Sequence, residues 1–165
     1  MRTTTRRCVN ARVHARSVVI GWFVVVISIG RLEAGQTVGG AYEAAITRAL
    51  RLLPKVPAKI LVVDATEAAR AVDAHGRKVE AFVRHGDNVV YLIAQGATLR
   101  GAQNGRGIFD YALATLIWHE TAHLGGADAR GAQRQEEELW MQFVATGRVD
   151  ANRGLNYLAL LKKRH

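Results

Sequence analysis

His119-Glu120-Thr121-Ala122-His123 is the part of this 165-residue chain whose residue types and spacing fit a chemical task. Two histidines four apart on a helix project from one face, where both imidazoles can bind a single metal ion. The glutamate beside them points toward the space that a metal-bound water would fill. In such a setting zinc lowers the pKa of its water to around 7 and polarises a scissile carbonyl. The carboxylate takes the water's proton and passes it to the leaving amine. The chemistry expected is zinc-dependent hydrolysis of a peptide bond, with His119 and His123 as ligands and Glu120 as general base.

A third ligand is needed, and the chain offers two schemes. In one, a glycine follows three residues after the second histidine and a ligand stands three further on. Gly126 fits this scheme, but position 129 is alanine and Asp128 misses by one. In the other, a glutamate comes from the next helix, where Glu136-Glu137-Glu138 is correctly placed. Leu139, Trp140, Phe143 and Val144 mark the buried stripe of that helix. Glu136 and Glu137 lie three or four residues before members of the stripe, whereas Glu138 points toward solvent.

With these residues in view, the segment 108–147 resembles the gluzincin group of zinc metallopeptidases, especially its small single-domain members. Their second helix commonly carries Glu, two residues on a small residue, then Asp or Asn, and an aromatic after one more. Glu137, Trp140, Met141 and Phe143 occupy those positions, so the resemblance implies Glu137 as third ligand. Trp140 replaces the small residue, and Met141 replaces the acid that often orients a zinc-bound histidine. The resemblance also implies a zincin-like fold in which the strand before the active helix, here Asn88–Ile93, pairs with substrate backbone. It implies an oxyanion-stabilising side chain as well, assigned to Tyr157. His85 and His75 read as hairpin and loop residues, Met141 as core packing, and Asp110 as a helix-start cap or an exposed acid.

The elements that must position these residues follow from periodicity. Apolar residues spaced near 3.6 predict a helix over 37–53, ending before Pro54. The β-branched run Lys59–Asp64 predicts a strand, and 66–73 a short helix. Lys78–Arg84 and Asn88–Ile93 predict a hairpin turning at His85-Gly86-Asp87. Four glycines predict a loop over 96–107. Helices are expected over 108–124 (stopped by Gly125-Gly126), 131–146 and 151–163. The class is α+β: an N-terminal helix and a small three-stranded sheet, then the active-site helix and C-terminal helices.

Composition frames the setting. The chain carries a net charge of +9, but six arginines and only one acid lie in its first 34 residues. The remainder holds 17 basic and 13 acidic residues, an excess of four that marks no specific nucleic-acid binder. Residues 1–16 are basic and lack acids, and 18–30 are apolar. Thirteen residues reach only about 20 Å, short of a bilayer core. The reading is a signal peptide cut after Ala34, or an N-terminal anchor associating with the membrane through 18–30, with an exported domain at 35–165. The single cysteine, Cys8, lies in the leader, so the domain has neither disulfides nor thiolate ligands. A non-catalytic zinc-binding module and a basic surface-binding protein are the alternatives to a peptidase acting on peptide or protein substrates.

Overall fold

A computed structural model describes residues 40–57, 59–64, 72, 76, 78–105 and 107–164. The leader at 1–34 lies outside these residues, as does the helix expected over 66–73 except for Val72, which forms an antiparallel bridge with Lys78. A 3-10 turn (Gly40–Tyr42) leads into α1 (Glu43–Leu50), followed by β1 (Ile60–Val63), β2 (Ala81–Val83) and β3 (Val90–Ile93). Four helices complete the chain: α2 (Ala97–Gln103), α3 (Gly107–Leu124), α4 (Ala129–Ala145) and α5 (Ala151–Arg164). The fold is α+β, as expected. No helix of the described residues is long and apolar enough to cross a membrane.

The sheet has the order β1-β3-β2, with β1 parallel to β3 (Ile60 opposite Val90) and β2 antiparallel to it (Ala81 opposite Leu92). The hairpin joining β2 to β3 turns through Gly86, whose φ of +84° is open to glycine at no steric cost. This arrangement corrects one expectation. The strand before the active helix, β3, is central and hydrogen-bonded on both sides, so its backbone has no edge to offer a substrate.

Residues 96–107 are not a loop either, since α2 occupies most of them. Glu80 caps its start, accepting from the Ala97 amide at 2.9 Å and from the Thr98 hydroxyl. Gly101, which reads as a breaker, is there for proximity. A Cβ at this position would overlap the ring carbons of Phe109 on α3. The glycine lets two helices approach closely.

α3 is apolar around most of its circumference, the mark of a helix surrounded by protein. It packs against α1, α2, α4 and β2. Ile46, Ile60, Val90, Leu92, Leu99, Leu113, Ile117, Trp140 and Phe143 form the fully or nearly fully buried core around it. Asp110, expected as a cap or an exposed acid, instead receives Arg48 of α1 through Nε (2.9 Å) and a second guanidinium nitrogen (3.1 Å). The same guanidinium donates to the Ala102 carbonyl of α2, so one side chain joins three helices. Met141, expected in the core, is 38% exposed.

Candidate metal centre

The histidines occupy the last two turns of α3, and the geometry of that helix end determines how they stand. Gly126 takes φ +88°. Its amide donates to the His123 carbonyl (3.0 Å), and the Ala127 amide donates to the Ala122 carbonyl (3.0 Å), the paired bonds of a Schellman stop. The turn folds back far enough that the Ala127 carbonyl meets His123 Nδ1 at 2.9 Å. A carbonyl can only accept, so His123 carries its proton on Nδ1 and its lone pair on Nε2. Asp128 then caps α4 by accepting from the Gly131 amide at 2.7 Å, which gives it a structural task.

His119 is buried, with Nδ1 2.9 Å from Glu136 Oε2 across the interface between α3 and α4. The two imidazole centroids lie 5.0 Å apart with their planes inclined by 73°. Burial disfavours the charged imidazolium of His119. The hydrogen bond and charge of Glu136, with the charge of Glu120, outweigh that effect and raise its pKa.

Glu120 is 7% exposed and, among the described residues, has no hydrogen-bond partner. Burial pushes its pKa up to about 7; the neighbouring His119 opposes this and the charge of Glu136 adds to it. A carboxyl so placed can hold or release a proton near neutrality, as a general base must.

Of the two glutamates left open by helix periodicity, it is Glu136, 4% exposed, that meets His119. Glu137 is half-buried and accepts from Gln133 Nε2 at 3.0 Å along its own helix. Glu138 is exposed. Tyr157 is half-buried on α5 with its ring 4.2 Å from that of Trp140, whose indole N–H donates to the Gly154 carbonyl. Tyr157 thus belongs to the packing between α4 and α5. A cavity of about 380 Å³ runs beside the Gly125-Gly126 turn, lined by Lys55, Trp118, Thr121 and Gln135 among others, but not by His119, Glu120 or His123.

The donor chemistry fits a cation at two positions. Both imidazoles have Nδ1 engaged by an oxygen, the arrangement that turns Nε2 of a histidine toward a metal. A complete protein ligand set is not assembled: among the described residues no group of three or more His, Cys, Asp or Glu side chains is arranged to hold an ion. The Ala127 carbonyl is the contributor that sequence reasoning missed, since Gly125-Gly126 signals only where the helix stops. Comparison with known proteins yields no matching family model, no matching curated protein and no matching solved structure.

Proposed function

We propose that this chain is a zinc-dependent peptidase in which His119 and His123 bind the metal and Glu120 is the general base. The observation that carries the proposal is the buried, unpartnered Glu120 carboxyl beside two imidazoles whose Nδ1 atoms are both held by oxygens. Zinc held there would supply a Lewis acid for the scissile carbonyl and acidify a water. Glu120 would take a proton from an attacking water and deliver it to the leaving amine, its affinity for the proton being raised by burial. Ligation by Glu137, as the gluzincin resemblance implies, requires its carboxylate to exchange Gln133 for the metal. The sheet edge that packs against α3 is β2, and an extended peptide would pair there. Residues 1–34 would direct the domain out of the cytoplasm or anchor it at the membrane.

One observation favours a second reading. Among the described residues only two imidazoles are held with Nδ1 on an oxygen and no group of three ligands is gathered, which suits a protein that binds zinc weakly, or for assembly alone, without turnover. Zinc content and hydrolysis of an unfolded protein separate the two. The peptidase takes up about one zinc per chain, and Glu120→Gln keeps the metal while abolishing hydrolysis. Turnover that survives Glu120→Gln overturns the catalytic assignment.

A further inference from the structure

We infer that Glu136 is the positioning residue for His119: its carboxylate accepts the hydrogen bond from Nδ1–H and so fixes the tautomer and ring plane in which Nε2 would face the metal. The inference rests on the proposed metal site and assigns the orienting part to a residue other than the one the gluzincin pattern provides. In that pattern the orienting acid stands four residues after the glutamate ligand, at Met141 here. Met141 is 38% exposed on α4 and has no acceptor to offer. Glu136, five residues earlier, is rotated by about 140° around the helix axis. It lies in the buried stripe with Leu139, Trp140 and Phe143, directed at α3.

Three observations converge on this assignment. The Nδ1–Oε2 separation of 2.9 Å is that of a charge-assisted hydrogen bond, and both partners are buried, so little water competes for it. His123 is held in the same way through Nδ1, by a backbone carbonyl, so both imidazoles present the same nitrogen away from their holders. Finally, Nδ1 and Nε2 lie on opposite sides of the imidazole ring. The Glu136 oxygen that accepts from Nδ1 is therefore on the wrong side to share an ion with Nε2. Glu136 and Glu137, adjacent in sequence, have different tasks: one orients a ligand, and the other remains the candidate to be one.

The test compares the full-length wild type with Glu136→Met, which keeps the side chain's length and removes both acceptor oxygens. Imidazole nitrogen chemical shifts are recorded first on metal-free protein in alkaline buffer. The wild type should show His119 and His123 with the proton on Nδ1. Glu136→Met should move His119 toward the Nε2–H form and leave His123 unchanged, which also reports that the fold is intact. Zinc titration should then show an affinity about 10- to 100-fold weaker at the same one-to-one stoichiometry. The visible spectrum of the cobalt-substituted variant should keep its coordination type. An unaltered His119 tautomer overturns the assignment, as does loss of an oxygen ligand from the cobalt spectrum, which would make Glu136 a ligand. Wild-type protein that takes up no zinc overturns the peptidase proposal instead, and the metal-free spectra still decide the part played by Glu136.

Discussion

Replacing Glu120 by glutamine should stabilise the metal-free protein near neutral pH and leave it unchanged in acid. Burial lifts this carboxyl from its ordinary 4.5 to about 7. Below about pH 4 it is protonated in both folded and unfolded chains and favours neither. Between the two values the unfolded chain ionises while the folded one keeps its proton, so stability falls as pH rises. Above about pH 8 the folded state carries the full cost of a buried charge. At about 1.4 kcal/mol per pH unit, that cost is roughly 3 kcal/mol. Glutamine has the same shape without the charge and should recover it, raising Tm by roughly 10 °C in a domain of this size. The assay is thermal unfolding in chelator of wild type and Glu120→Gln at about pH 4 and about pH 8. An equal gap between the two proteins at both pH values would refute the claim that burial governs this carboxyl.

Other perturbations address the rest of the site and its supports. Glu137→Ala should lose stoichiometric zinc in a metal titration while the unfolding free energy without metal changes by less than about 1 kcal/mol, because this half-buried carboxylate holds only Gln133. Gly126→Ala places a Cβ at φ +88° and should cost about 1 kcal/mol in denaturant unfolding. It should also weaken zinc binding, because the same turn aims the Ala127 carbonyl at His123. Gly101→Ala forces α2 and α3 apart at Phe109 and should cost about 1–3 kcal/mol with no change in zinc stoichiometry. Removing zinc from the wild type with a chelator should stop hydrolysis, and adding it back should restore activity.

Much of the scaffold could be read from local patterns. The histidine-bearing helix and its stop were legible because apolar residues recur at helical spacing from Ile108 to Leu124 and two glycines follow. The hairpin was legible because Gly86 sits between two β-branched runs. Two things were not. The place of β3 in the middle of the sheet depends on β1 returning parallel to it, a pairing between residues about thirty apart that no local signal encodes. The α2 helix was hidden because Gly101 resembles a breaker, and its purpose is visible only once Phe109 is seen against it.

At the site, the limit was angular. Adjacent helical residues differ by about 100°, and a buried stripe several residues wide accepted Glu136 and Glu137 equally. The contact with His119 separates them: Glu136 is within 2.9 Å of the ring, and Glu137 turns along its own helix. Tyr157 shows the same limit in another form. Sequence placed it on the helix after the proposed ligands, but packing against Trp140 gives it a task in the core.

The position of the site at the end of α3 has a physical logic that links the helix to its chemistry. His123 lies in the last turn of α3, where the negative end of the helix dipole favours a cation. A helix end is also where backbone carbonyls lack intrahelical partners. The chain's reversal at Gly126 turns a carbonyl from beyond the helix, Ala127 O, toward His123, and the next two turns of α4 return Glu136 to the level of His119. The turn that stops the helix thus supplies one imidazole with its acceptor and sets the register that supplies the other. A site built in this way depends on the length of the connection between α3 and α4 as much as on its acids and histidines. The Asp128 cap, which fixes where α4 starts, is therefore as much a part of the site's construction as the residues proposed to hold a metal.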